Sequence, residues 1–156
     1  MAIVVRMANT EDADAVRRVG EEAFAEVRSI YRPNPAAVAN LAALTPALER
    51  LVAEDMGQVI GTVRFGVFGD LLRVIGLAVL PQWRRRGAAR NLLETLAIIA
   101  RQRNCRALAL YTVTKTGNVP IFERLGFSLI SERPDEYSVS VTGEPLLEAY
   151  MERSVA

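Results

Sequence analysis

One short segment, residues 81–90 (PQWRRRGAAR), has the residue types that bind phosphate groups. Four of its residues are arginines, and Gly87 directly follows three of them. A strand-like apolar segment, 71–80, precedes it, and a helical pattern, 91–103, follows it. The first turn of a helix has unpaired backbone N–H groups and the positive end of the helix dipole, and glycine lets a ligand approach the backbone closely. The order strand, basic turn, helix therefore predicts a site for a polyanion, with a phosphorylated cofactor as the expected ligand.

Two other interpretations of this segment are less favoured. A solvated basic loop would place four cations at the end of the helix where the dipole disfavours positive charge, unless an anion offsets them. An arginine-rich nucleic-acid module would need a basic surface, whereas the chain has a formal net charge of only +1. We therefore expect no nucleic-acid partner.

The composition excludes several kinds of active site. The chain has eighteen arginines, one lysine, one cysteine and no histidine. Without histidine there can be no histidine-based triad or general base, and most transition-metal sites are excluded, so no metal is expected. The single Cys105 cannot form an intramolecular disulfide, and we expect it to be a small buried hydrophobic residue rather than a nucleophile.

Length and hydropathy indicate one ordinary folded unit. The 156 residues, 51% of them hydrophobic, are enough for a single domain, 1–156, with a real core. No apolar run approaches the roughly 20 residues of a membrane-spanning helix. The first residues, MAIVVR, do not have the pattern of a signal peptide. We therefore expect a cytoplasmic protein with no membrane partner.

The hydrophobic patterns predict an α/β domain with a mixed sheet, in the order β-α-α-β-β-β-α-β-α-β-β. The fourth strand, 71–80, is nearly all apolar, which is typical of a strand buried on both faces. Residues 132–136 are polar and turn-like. The predicted strands are 3–7, 51–54, 59–68, 71–80, 107–113, 127–130 and 146–151, with further alternation at 137–141, and the predicted helices are 9–27, 36–50, 91–103 and 121–125.

Two segments in this order resemble the GNAT superfamily of N-acetyltransferases. Arg84-x-x-Gly87-x-Ala89 matches the family signature Gln/Arg-x-x-Gly-x-Gly/Ala after the fourth strand. Residues 117–127 (GNVPIFERLGF) are similar to the family's Asn…Tyr-Glu-Lys/Arg-Leu-Gly-Phe stretch. The resemblance extends over about 3–151. It implies a mostly antiparallel central sheet with helices on both faces, and acetyl-CoA as the cofactor.

The resemblance also implies which residues bind that cofactor. The fourth and fifth strands of the family splay apart, often at a bulge, and the cofactor lies in the gap. Backbone groups of the fourth strand then pair with the pantetheine arm, the basic turn binds the pyrophosphate, and the 117–127 segment adds further contacts. The residues carried over are Leu77, Ala78, Val79, Arg84, Arg85, Arg86, Gly87, Ala88, Ala89, Arg90, Asn118 and Phe122.

The sequence departs from the family at both usual proton-transfer positions. Many members have a tyrosine where Phe122 lies, and its hydroxyl protonates the departing thiolate. Some members have a carboxylate as general base where Arg73 lies. Tyr111, Glu54 and Asp70 are the substitute candidates. Proximity of the amine to the thioester also contributes to the rate without any fixed base.

Two functions stay open at this point. One is acetyl transfer from acetyl-CoA to a primary amine of a small molecule or a peptide. The other is a regulatory domain that binds acyl-CoA but has lost catalysis. By resemblance the acceptor pocket involves 27–48 and 132–144, and neither segment has a charge cluster or aromatic cage that identifies a substrate. The last strand and its loop are a candidate contact for a homodimer.

Overall fold

The chain folds around a seven-stranded sheet, with strand order β1-β3-β4-β5-β6-β9-β7. The computed structural model describes residues 2–156. The strands are β1 (Val4–Met7), β2 (Tyr31–Pro33), β3 (Glu49–Asp55), β4 (Gln58–Phe68), β5 (Leu71–Val79), β6 (Ala107–Val113), β7 (Ser128–Pro134), β8 (Ser138–Ser140) and β9 (Leu147–Ser154). The helices are α1 (Ala13–Phe24), α2 (Pro35–Leu44), α3 (Ala88–Gln102) and α4 (Asn118–Arg124).

Neighbouring strands of the sheet are antiparallel except β5 and β6, which are parallel. Strands β2 and β8 form a separate antiparallel ribbon. Helix α3 packs on one face of β4, where a β-carbon on Gly61 would contact Leu92. The residues after α2 pack on the other face, where a β-carbon on Gly66 would contact Leu48. This arrangement confirms the predicted α/β fold with a mostly antiparallel sheet between helices.

A 3-10 turn, Thr10–Asp12, leads into helix α1 and is capped by residues that the sequence offers. The Asn9 side chain accepts a hydrogen bond from the Glu11 N–H at 2.9 Å, and the Asp12 carboxylate accepts one from the Asn9 N–H at 2.8 Å. Asp12 is also bonded to Arg6 of β1 at 2.8 and 2.9 Å. These bonds hold the pKa of Asp12 down at about 2. The ion pair joins the first strand to the start of the first helix.

The core lies mainly between α3 and the sheet. The inward face of α3 is entirely apolar, and burying each of its leucines contributes about 1.5–3 kcal/mol. Cys105, directly after α3, is 7% exposed, and burial raises the pKa of its thiol. Cys105 is therefore a buried hydrophobic residue, as predicted. The buried side of α3 comprises Ala88, Leu92, Leu93, Leu96, Ala97 and Ala100.

Three local predictions were wrong. The second helix ends at Leu44 rather than at residue 50, because a 3-10 turn containing Pro46 follows it and a proline ring cannot continue an α-helix. Strand β5 is not buried on both faces: Leu72 and Val74 are buried, whereas Arg73 is half-exposed. Residues 132–134 continue β7 instead of turning, because they pair with β9.

Within residues 2–156, no helix combines the length and the apolar character that crossing a bilayer requires.

Candidate functional site

The sheet opens between β5 and β6. The two strands pair only at their beginnings, from Leu71 to Arg73, and no pair is formed beyond Arg73↔Ala109. On the other side of β5, the register with β4 shifts so that Gly76 and Leu77 share one position opposite Val63. Gly76 has a φ of +65°, the left-handed conformation that glycine adopts readily at a bulge. The bulge turns the second half of β5 away from β6 and leaves a gap.

The open edge of β5 presents backbone groups to this gap. The Leu80 N–H donates to the Ile60 carbonyl of β4 at 2.8 Å. Since amide groups alternate along a strand, those of Ala78 also face β4, whereas the Leu77 carbonyl and both backbone groups of Val79 face the gap. The edge therefore offers one donor and two acceptors. The Ala78 side chain is 3% exposed and belongs to the core.

The basic turn after β5 forms a cradle of backbone N–H groups. Gly87 has a φ of +91° and caps α3, whose first hydrogen bond runs from the Asn91 N–H to the Gly87 carbonyl at 2.9 Å. Arg85 is also left-handed, with a φ of +63°. The six N–H groups of residues 85–90 make no hydrogen bond to any residue in 2–156. Six free donors at the positive end of a helix form a strong anion site.

The four arginines of this turn have different surroundings. Arg84 reaches back towards α1, where it contacts the Ala23 carbonyl at 3.4 Å and Glu26 at 3.5 Å. The Arg86 guanidinium lies 5.0 Å from the centre of the Trp83 ring. Arg85 and Arg90 are exposed and make no ion pair within residues 2–156. Arg84 thus anchors the turn, while no carboxylate within residues 2–156 neutralises the charges of Arg85 and Arg90.

Asn118 and Phe122 lie on α4, on the far side of the gap. The Asn118 N–H donates to the Thr116 hydroxyl at 3.3 Å, and its half-buried side chain makes no hydrogen bond within residues 2–156. The Phe122 ring packs edge-on against Phe127, with ring centres 5.8 Å apart. Phe122 therefore holds α4 against the core and supplies no proton.

Two of the three candidate proton-transfer groups lie away from the gap. Glu54 is bonded to Arg6 of β1 at 3.2 Å. Asp70 lies in the β4–β5 turn and is paired with Arg106 at 3.0 Å. That turn is at the opposite end of β5 from Val79, about 30 Å along the strand. Neither carboxylate is near the open edge of β5.

Tyr111, the third candidate, lies in a groove of about 460 Å³ beside the gap. The groove is covered by α2 and the β2–β8 ribbon, and its floor comes from β5, β6 and β9. Neither 27–48 nor 132–144 supplies the aromatic and charged cluster of this groove by itself, because the cluster is assembled from separate elements. Its aromatic and charged side chains are Tyr31, Tyr111, Tyr137, Arg73, Arg133 and Glu148.

Two guanidinium groups lie against the Tyr111 ring in this groove. Arg73 is 5.0 Å and Arg133 is 5.5 Å from the ring centre. Arg133 is paired with Glu148 at 2.9 Å, whereas Arg73 makes no ion pair within residues 2–156. Burial raises the pKa of the Tyr31 phenol above its ordinary value. The groove thus combines aromatic walls, hydroxyl groups and an excess positive charge.

Comparisons with known proteins agree with this fold. The family model described as "Acetyltransferase (GNAT) family" matches residues 13–127. The chain therefore belongs to the GNAT family of acetyltransferases, which confirms the resemblance and the enzyme class predicted from the sequence. No curated protein sequence matches the chain.

Solved structures share the fold at low sequence identity. The ribosomal-protein-S18-alanine N-acetyltransferase of Escherichia coli is 19% identical with a TM-score of 0.77, covering 99% of this chain and 95% of the other. An N-acetyltransferase from Staphylococcus aureus is 18% identical with a TM-score of 0.77, covering 100% of both. The protein yncA of Salmonella typhimurium, solved with its cofactor acetyl-CoA, is 20% identical with a TM-score of 0.70, covering 100% and 95%.

Proposed function

We propose that this protein transfers the acetyl group of acetyl-CoA to a primary amine. The observation that carries the proposal is the continuity of the site. The N–H cradle at 85–90 leads to the open edge of β5, and that edge leads to the groove at Tyr111. The cradle and the strand edge suit an anionic cofactor with an extended amide arm, and the groove suits an acceptor.

The residues of the cradle and the edge fit the chemistry of acetyl-CoA. The N–H groups of 85–90, with Arg85 and Arg90, would bind the pyrophosphate. The Leu77 carbonyl and the two Val79 groups would pair with the amides of the pantetheine arm, as an additional strand would. The Asn118 side chain, free of protein partners in the described chain, is a further polar contact for that arm.

Acetyl-CoA supplies a thioester to the amine held beside it. Backbone pairing along β5 would fix the orientation of the two reactants, and orientation accounts for a large share of such rates. We propose Tyr111 as the proton donor to the thiolate, because its ring is 41% exposed in the groove and Phe122 has no hydroxyl.

A second function is favoured by one specific observation. Phe122 and Arg73 replace the usual acid and base, and Arg73 places a cation where the family base would lie. A domain that binds acetyl-CoA without transferring it would have these features. The second function predicts cofactor binding but no release of thiol with any amine.

One assay separates the two functions. Thiol release from acetyl-CoA is followed with a panel of small amines and peptide N-termini. We expect release above hydrolysis for at least one amine, with Tyr111→Phe lowering kcat about tenfold or more and affinity for acetyl-CoA unchanged. Tyr137→Phe removes another hydroxyl from the same groove and is the matched control. No release with any amine would contradict transfer, and equal losses in both variants would contradict the role of Tyr111.

A further inference from the structure

Three arginines form a row on the face of the sheet beneath α1 and α2. Arg50 of β3 lies directly opposite Arg64 of β4. Arg64 is opposite Ile75 of β5 and Arg73 is opposite Gly66, so that Arg64 and Arg73 are diagonal neighbours on one face. A β-carbon on Gly66 would contact Ala47 and Leu48, which shows that this face lies beneath the residues after α2. We call Arg50, Arg64 and Arg73 the arginine row.

No carboxylate within residues 2–156 neutralises the arginine row. None of its members makes an ion pair, and the only side-chain hydrogen bond runs from Arg50 to the Thr62 hydroxyl at 2.8 Å. Asp12 lines a neighbouring cavity with Arg50, but its carboxylate is bonded to Arg6. Other arginines of the sheet do have partners, as Arg153 of β9 has in Glu94 at 2.6 Å.

The elements that cover the row supply no free negative charge, since the carboxylates of α1, Asp14, Glu21 and Glu22, are paired with Arg17 and Arg18 of the same helix. The sequence has no Asp or Glu between Glu26 and Glu49, and α2 has no charged residue at all. Glu148 is the only carboxylate lining the groove among the described residues, and Arg133 is paired with it at 2.9 Å. Asp135 is a second carboxylate near the groove and contributes to the raised pKa of Tyr31, but Arg73 makes no ion pair with either carboxylate.

This arrangement costs stability in the absence of a ligand. Like charges placed directly opposite on neighbouring strands repel each other. All three arginines are half-buried, and burial lowers the pKa of Arg50 and of Arg64, with the charge of Arg64 lowering that of Arg50 further. An anion would remove the repulsion, and the planar guanidinium fork matches carboxylate and phosphate oxygens.

We propose that the arginine row binds a carboxylate or phosphate group on the acceptor, so that the substrate is a small amine carrying an oxyanion. The proposal rests on the acetyl-transfer function proposed above. Arg73 is the member of the row that lines the groove. Arg64 adjoins it diagonally, and Arg50 lines the neighbouring cavity beside the start of α1. The volume of about 460 Å³ suits a small molecule. The tyrosines of the groove would then enclose the rest of the acceptor.

Equilibrium binding without acetyl-CoA tests the proposal. The probes are O-phosphoethanolamine, β-alanine and inorganic phosphate, with ethanolamine as the analogue that has the ammonium group but no oxyanion, each titrated by calorimetry. We expect at least one of the two anionic amines to bind at least about tenfold more tightly than ethanolamine, because the charged group gains a bond to a guanidinium. The two anionic amines distinguish phosphate from carboxylate. Equal affinity for all three amines would overturn the proposal, and phosphate binding as tightly as O-phosphoethanolamine would overturn the acceptor assignment.

Variants of the row make the test specific. Arg64→Gln and Arg73→Gln should each lower the affinity for the anionic amine about tenfold or more and leave ethanolamine unchanged. Arg17→Gln removes the same charge from α1, where the Arg17 side chain is 68% exposed. It should change neither the affinity for the anionic amine nor that for ethanolamine. Arg64→Gln should also raise the Tm of the free protein by about 1–3 °C, since it relieves repulsion. A lower Tm for Arg64→Gln, or an equal loss in Arg17→Gln, would overturn the proposal.

These binding measurements do not depend on acetyl transfer. Loss of acetyl-CoA binding would therefore contradict the proposed function while leaving the anion site intact. Failure of the anionic amines to bind, with acetyl-CoA still bound, would contradict only the acceptor class.

Discussion

Substitution of Gly87 tests whether the turn after β5 binds phosphate. Gly87 has a φ of +91°, and a β-carbon built on it meets no atom within 4 Å. Alanine at this position therefore has room but is strained, at a cost of about 1–2 kcal/mol. For a domain of this length, we expect the Tm to fall by about 2–8 °C.

The effect on cofactor affinity should exceed the effect on stability. The open space above Gly87 is where a ligand on the N–H groups of 85–90 would lie, so a methyl group there would separate the phosphate from its donors. Each hydrogen bond to a charged group contributes about 1.5–3 kcal/mol. Losing one of them raises the Kd for acetyl-CoA roughly 10-fold to 150-fold. Gly87→Glu adds a negative charge and should abolish binding.

Calorimetry with acetyl-CoA and thermal unfolding are measured on the same samples. Gly69→Ala is the matched control, because Gly69 has a φ of +63° and equally open space but lies in the β4–β5 turn, away from the cradle. It should lose similar stability and keep the wild-type Kd. If Gly87→Ala lowers the Tm as Gly69→Ala does but leaves the Kd unchanged, the cradle does not bind the pyrophosphate.

Two further predictions concern the start of α1 and the missing hydroxyl of α4. The bond to Arg6 lowers the pKa of Asp12 from 3.8 to about 2, so Asp12→Asn should cost about 2 kcal/mol at neutral pH. The pKa of Asp12 is lower in the folded state than in the unfolded state, so the loss of stability is complete above pH 3.8 and should fade as the pH falls towards 2. Urea unfolding of both proteins across this pH range measures it. A loss that does not depend on pH would contradict the ion pair. Phe122→Tyr restores the family hydroxyl and should raise kcat about tenfold in the thiol-release assay. An unchanged kcat with intact acetyl-CoA affinity would show that the absence of a hydroxyl at residue 122 does not limit the rate.

The cradle and the order of elements were predictable because their signals are local. An apolar strand, a glycine in a basic turn and an amphipathic helix follow one another in the sequence, and each is recognisable by itself. Gly76 inside the apolar strand was a further local signal, since glycine within a strand often marks a bulge. The gap beside β5 follows from that bulge.

The groove and the arginine row were not predictable in the same way. Tyr31 pairs across the ribbon with Ser140, more than a hundred positions later, and β2 is only three residues long. The row depends on the register that places Arg50 opposite Arg64. The Met56-Gly57 turn sets the register of this hairpin, and a β-bulge between Ala53 and Glu54 shifts it by one residue, which brings Arg50 opposite Arg64. Nothing in the local sequence marks that bulge.

The most direct test of the central claim is an amide NMR titration of the wild-type protein with acetyl-CoA. If acetyl-CoA lies in the cradle and along the open strand edge, the N–H signals of residues 85–90 and of Val79 should shift together and saturate. The Gly69 signal, in the β4–β5 turn, should stay in place. Shifts confined to other regions, or no shift at millimolar acetyl-CoA, would contradict the account.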